Sequence, residues 1–201
     1  MANLAAIRSV GTSLASFLNN AWRDSTFPPG VSKPECTFTL ASIGGIRAED
    51  VPASDTTVRV LIFLYRASMN QHLRNAGRQS DPGARPVPLS VDLHYLFSVW
   101  AASAENEQLA LAWTMRQLHD VPVLDSSILS RDAAWAPDDF IQIIPAEISI
   151  EEMMRLWDTL EPKYRLSLSY IARVVRIDGE PQPQHPPVVA TRVQLSVPTS
   201  R

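Results

Sequence analysis

RPVPLSVDLHYLFSVWAASAENEQLALAWTMRQLHDVPVLDSSIL, from Arg85 to Leu129, changes its hydrophobic period midway. Leu89, Val91, Leu93, Tyr95, Phe97 and Val99 fall at every second position, with Ser90, Asp92, His94 and Ser98 between them. Successive side chains of a strand point to opposite faces, so this spacing predicts a strand with one buried face. After Trp100 the period lengthens. Leu111, Met115 and Leu118 recur at i, i+4 and i+7, flanked by Leu109, Ala112 and Trp113, and predict a helix with a broad apolar surface. Val121-Pro122 stops it, because proline disfavours helical geometry in the residue before it. A strand running directly into a largely buried helix makes a folding centre.

Upstream, Val58 to Tyr65 (VRVLIFLY) is apolar at nearly every position, which predicts a strand buried on both faces and central in its sheet. Arg66 to Pro86 reads as a polar loop punctuated by Asn, Gly and Pro, with Arg66, Arg74, Arg78 and Arg85 giving it local positive character. Glu35 to Ala41 (ECTFTLA) is a short strand. Leu4, Ile7, Gly11, Leu14, Leu18 and Trp22 mark one face of a helix from about Asn3 to Trp22. The rest of that helix is Ser, Thr and Asn with few charges. Such a surface suits either packing on a sheet or partial cover by another subunit.

Downstream, Phe140 to Ile144 (FIQII) is a short strand ended by Pro145. Ser149 and Glu152 have capping-box spacing, so a helix runs from Ile150 to Leu160 with Met153, Met154, Leu156, Trp157 and Leu160 on its apolar side. Leu166 to Asp178 (LSLSYIARVVRID) is a long strand. Leu166, Leu168, Tyr170, Ala172 and Val174 share one face, while Ile171, Val175 and Ile177 make the second face apolar too. This pattern predicts a cover that begins partway along, supplied by the same fold or by a neighbouring chain. Gly179 to Pro187 is a Pro-rich spacer. Beyond it Val189, Val193, Leu195 and Val197 alternate as a strand-competent tail. The expected fold is α+β: one domain over residues 1–178, a mixed, mostly antiparallel sheet covered by two or three helices, and an extended C-terminal arm over 179–201.

The 201 residues are 45% hydrophobic and 19% charged, a globular balance. A formal net charge of −3, with no dense basic run, argues against nucleic acid as an obligate partner. Cys36 is the only cysteine, which excludes an internal disulfide and a thiolate metal cluster. In its apolar, Thr-rich run it reads as a small core residue. No run approaches the ~18 apolar residues a membrane span requires. Asn3, Arg8 and Ser9 interrupt the apolar stretch a secretion signal would need, so synthesis and folding in the cytosol are expected.

Asp92 and His94 share a side of the opening strand and could serve as an orienter and a base. The remaining parts of an active site do not follow. There is no G-x-S-x-G elbow, H-E-x-x-H, P-loop or G-x-G-x-x-G, and His72, His94, His119 and His185 lack metal-ligand spacing. The alternative reading of Asp92 and His94 is a polar pair on an outer or inter-subunit strand face. No cofactor, metal or small-molecule substrate is expected.

Four segments carry a family resemblance: LYRASMNQHLRN (Leu64 to Asn75), PLSVDLHYLFSVWA (Pro88 to Ala101), EQLALAWTMRQLHDVPVLDSSIL (Glu107 to Leu129) and RLWDTLEPKYRLSLSYIARVVRID (Arg155 to Asp178). In that order they resemble the cap, or tail-terminator, proteins of extracellular contractile injection systems, which are phage-tail-like particles. The resemblance implies a structural protein rather than an enzyme. It implies a ring, expected to be a homohexamer, at the baseplate-distal end of the particle, stopping tube polymerisation and joining the last sheath layer to the tube. Its partners would be further copies of itself, the inner tube protein and the sheath protein, without membrane insertion. Asp92, His94, Arg66, Arg74, Arg78 and Arg85 are then candidates for subunit or tube contacts. Val189, Val193 and Leu195 are candidates for strand addition to the sheath or a neighbour. Two other readings remain open: another structural adaptor of the same particle, at the baseplate or tube end, and an enzyme using Asp92 and His94.

Overall fold

The structure, a computed structural model, describes residues 2–42, 52–70, 72–73, 88–160 and 163–179. Helix α1 (Ala6–Asp24) precedes strands β1 (Glu35–Ala41), β2 (Thr57–Met69) and β3 (Leu89–Ala101). Helix α2 (Ala104–Asp120), β4 (Val123–Leu124), β5 (Ile141–Pro145), α3 (Ile150–Asp158) and β6 (Ser167–Ile177) follow. The strands form one sheet in the order β1-β2-β3-β6-β5-β4. β1 runs parallel to β2 and every other pair is antiparallel. The expected α+β class and mixed, mostly antiparallel sheet are borne out. Residues 180–201, which hold Val189, Val193 and Leu195, lie outside the described residues, as do Arg74, Arg78 and Arg85.

The opening strand, β3, sits between β2 and β6. Val91, Leu93, Tyr95, Phe97 and Val99 face a core completed by Ala6, Val10, Leu14, Leu18 and Trp22 of α1 and by Ala110 and Leu118 of α2. Full burial of a large apolar side chain contributes ~1.5–3 kcal/mol, so this layer dominates the stability. The one-faced reading of β3 is corrected on the other side. Leu96 and Trp100 pack with Leu61 and Phe63 of β2 beneath Met153, Trp157 and Leu160 of the α3 segment. A central strand between two helical layers is buried on both faces, and β2 fits that rule as expected. The capping box of α3 is formed: the Glu152 N–H donates to Ser149 Oγ, and the Ser149 N–H donates to Glu152 Oε2.

Two bulges change which residues share a face. Between β2 and β3, Leu64 pairs with Tyr95 but Arg66 pairs with His94, so Tyr65 is an extra residue on β2. Between β3 and β6, Val91 pairs with Val175 and Leu93 with Ala172, so β6 carries one extra residue at Arg173/Val174. An inserted residue flips the side-chain parity of everything beyond it. The reading of β6 as one-sided and then two-sided is corrected accordingly. Val175 and Ile177 join Tyr170 and Ala172 on the α1/α2 face, and among the described residues no second cover begins there. Arg66, expected in a loop, lies on β2, which continues to Met69.

The helices are also more selective than their periods suggest. Leu4 precedes α1 and is 82% exposed, and the buried line is Ala6, Val10, Leu14, Leu18 and Trp22. The chain before α1 is held elsewhere: the Asp178 N–H donates to the Ala2 carbonyl and the Asn3 N–H to the Ala133 carbonyl. Ser9 and Ser13, on the weakly charged side of α1, are buried within the same chain. Trp135 Nε1 donates to Ser9 Oγ at 2.8 Å, and the Ser130 N–H donates to Ser13 Oγ at 2.8 Å. For these two residues the intramolecular reading holds. In α2 Ala110, Thr114 and Leu118 are buried, and Leu111 and Trp113 pack half-buried against the core, Trp113 meeting Trp22 at 4.7 Å between ring centroids; of the expected apolar surface Met115 stands 46% exposed. Small residues bring α2 close to the sheet, and the Thr114 hydroxyl is satisfied by the Ala110 carbonyl at 2.7 Å.

Candidate functional site

α3 covers only part of the second sheet face. Beyond Leu96, towards the start of β3, that face is polar and carries Asp92 and His94. The bulge at Tyr65 brings Arg66 and Ser68 opposite them, and the bulge in β6 brings Arg173 beside Asp92. The structure thus assembles three of the sequence-predicted residues, Arg66, Asp92 and His94, on one surface.

Asp92 is buried, and a buried carboxylate requires partners. Asn70, also buried, donates from Nδ2 to both carboxylate oxygens at 3.1 and 3.0 Å, and Arg173 Nε lies 3.4 Å from Oδ2. Asn70 Oδ1 in turn accepts the N–H groups of His72 and Leu73, both at 3.1 Å, an Asx-type turn that ends β2. His94 Nε2 is 3.1 Å from Ser68 Oγ, and its ring meets Tyr65 edge-on at 5.9 Å. The Tyr65 hydroxyl reaches across β3 to Ser169 Oγ at 2.9 Å. The hydrogen bonds of Asp92 and His94 therefore go to different partners, and the carboxylate does not orient the imidazole. Cys36 lies in the opposite layer, where burial pushes its thiol up to about 12. As a core residue protonated at neutral pH, it fits the reading made from its sequence context.

Burial, followed by the Arg66 charge, pulls the His94 imidazole below its usual 6.5; Asp92 acts the other way and Arg173 with Arg66. The folded state thus disfavours imidazolium, and the unfolded chain takes up the proton first as pH falls. Stability from this group is full above 6.5 and is lost as pH falls through 6.5 towards the folded value. His94→Gln is expected to flatten that part of the melting temperature profile between about pH 7.5 and 5.5. Identical profiles for the two proteins would assign the slope to other groups.

Sequence reasoning missed Ser68, Asn70 and Arg173. The Asn before a turn was a usable signal for Asn70, whereas Arg173 depends on a bulge that no local pattern announces. Beside Arg173 a cleft of about 410 Å³ is walled by Trp135, Phe140 and Arg176. Among the described residues, no group of three or more His, Cys, Asp or Glu side chains is placed to hold a metal, and no helix is long and apolar enough to cross a membrane.

The fold has solved relatives. The chain is similar to the PVC sheath/tube terminator of an extracellular contractile injection system in its extended state, with a TM-score of 0.55 and 21% identity over 96% of this chain and 64% of that one. It is similar also to the anti-feeding prophage cap, a tube-terminating cap, with a TM-score of 0.51 and 16% identity over 97% of this chain and 62% of that one. The chain spans somewhat under two thirds of each of those proteins, and at these identities the likeness is one of fold. No curated protein matches it. A family model described as the Pvc16 N-terminal domain matches residues 9–191, and by that match the chain belongs to the Pvc16 N-terminal domain family.

Proposed function

We propose that this protein is a structural terminator of a contractile injection particle. It sits as a ring at the baseplate-distal end, ends tube polymerisation and joins the last sheath layer to the tube. The observation that carries this reading is the likeness of fold to two tube-end proteins from two contractile particles, over nearly the whole of this chain. A terminator needs an interface between copies that closes and a far face that offers no further docking site. The ring is taken as a homohexamer, assembled in the cytoplasm as part of a particle that is then released or anchored at a membrane. The role is non-enzymatic and uses no cofactor or nucleic acid. The polar face with Arg66, Asp92 and His94 supplies subunit or tube contacts, as do Arg74, Arg78 and Arg85.

The C-terminal segment with Val189, Val193 and Leu195 adds as a strand to the sheath protein or a neighbour. Sheath is taken as the acceptor. On this chain's own sheet, Asn19 of α1 donates to the Phe38 carbonyl at 2.8 Å and accepts the Phe38 N–H at 2.9 Å on β1, and β4 at the other edge has two residues, while β2 runs past the end of β1 to Met69.

Cells that make the particle but lack this protein are expected to produce tubes of variable length with unsecured outer sheath. Tubes of normal, uniform length would reject the terminator reading. Removing Pro181 to Arg201 is expected to leave the ring mass unchanged and to weaken sheath binding at least tenfold; undiminished binding would reject the role of the arm.

A further inference from the structure

From the half-covered second sheet face we propose that α3 of an adjacent copy docks on the part its own α3 leaves open, with Glu151 and Asp158 of one copy meeting Arg66 and Arg173 of the next. The inference rests on the ring reading above and names the surfaces that would build it. Both surfaces are defined among the described residues.

The acceptor is the polar end of the sheet beyond Leu96. Arg66 on β2 is exposed and has no acidic partner among the described residues. Arg173 on β6 is 38% exposed at its side chain and, among the described residues, pairs only through Nε with Asp92, so its outer guanidinium N–H groups have no partner among them. The one carboxylate between them, Asp92, is buried and already shared by Asn70 and Arg173. His94, facing Ser68, Tyr65 and Arg66, adds no negative charge. The outward charges of the sheet itself here, Arg66 and Arg173, are cationic, with Asp138 and Asp139 lining the cleft beside Arg173.

The donor is the outer side of α3. Its inner side buries Met153 and Trp157. On the outer side Ile150 is 69% and Met154 37% exposed, and Glu151 and Asp158 are exposed beside them. Glu151 and Asp158 are seven residues apart, two helical turns, so they lie on one line about 10.5 Å apart. Arg66 and Arg173 stand two strands apart across β3 and are offset by about two residues along it, since Arg66 pairs with His94 and Arg173 lies beside Asp92, which places them about 12 Å apart. That is close enough to the spacing of the two acids for each to face one arginine. Ile150 and Met154, on the strip of the helix between those acids and its buried side, would meet Ile171 and Tyr65, which are half-buried on the second sheet face. Donor and acceptor are different surfaces of one protein, so the contact runs head to tail and suits a ring that closes.

The test uses the full chain, with self-association followed by sedimentation velocity over a range of protein and salt concentrations. Arg66→Glu and Glu151→Arg are each expected to weaken association at least tenfold, and the doubly exchanged protein to return to within about threefold of the parent, because opposite charges face each other again. Melting temperatures of the single variants should match the parent, since both side chains are exposed. Single variants that associate like the parent, or a double variant as weak as either single one, would overturn the contact. A parent ring indifferent to both changes would leave the ring reading standing without this interface. A parent that stays monomeric even with tube ends present would remove both.

Discussion

Trp100→Ala is expected to destabilise the protein by ~3–5 kcal/mol, the range for truncating a buried large aromatic residue. Trp100 is fully buried at the end of β3 and anchors the second layer. Its ring packs on Trp157 of α3 at 6.3 Å between centroids, the Arg165 guanidinium lies 5.3 Å above it, and its indole N–H donates to Ser98 Oγ. No neighbour can collapse into so large a gap, because Leu61, Phe63 and Leu96 are already packed against strands on both sides. In a chain of this size each kcal/mol shifts the melting temperature by about 2–4 °C, so a fall of about 6–20 °C is expected. The loss should be accompanied by faster hydrogen exchange in α3 than in α1, whose layer lies on the other face. A fall of less than about 1 kcal/mol would mean that α3 is not a fixed layer of the fold.

Asp92→Ala should produce the second largest loss, about 2–3 kcal/mol in urea unfolding, for a different physical reason. The substitution creates little cavity. It strands the Asn70 amide, buried with both of its carboxylate acceptors gone, and leaves the Arg173 guanidinium without its ion-pair partner. Arg173 is exposed enough to be rehydrated, so most of the cost belongs to Asn70. Asp92→Asn keeps one oxygen acceptor in place and is expected to cost about 1 kcal/mol. Equal losses for the two substitutions would show that the charge of Asp92, rather than its acceptor geometry, holds the end of β2.

Much of the architecture was legible in the order of residues. The alternation from Leu89 to Val99, the continuous apolar run of β2 and the Ser149/Glu152 capping box each report a local preference that the packed protein keeps. The second face of β3 was harder to see. Leu96 and Trp100 stand at the same parity as Asp92, His94 and Ser98, so the polar members of that face masked its buried half. The polar surface itself was only half legible. Asp92 and His94 sit two residues apart on one strand, so their shared side follows from strand geometry alone. Arg66 was taken for a loop residue and Arg173 was missed, because nothing local marks Tyr65 or Arg173/Val174 as the site of an extra residue.

By itself, the sequence determined where strands and helices form, which strand is central, how α3 begins, and the resemblance to particle terminators. Those properties depend on periodicity, capping and residue order over short stretches. Tertiary structure alone decided which residues face each other across strands. The register of β3 against β2 and β6 places the two bulges, and each bulge reverses side-chain parity beyond it. That reversal gathers Arg66, Asp92, His94 and Arg173 on one face while sending Val175 and Ile177 to the core. Parity beyond a bulge is a property of two paired strands, and neither strand carries it alone.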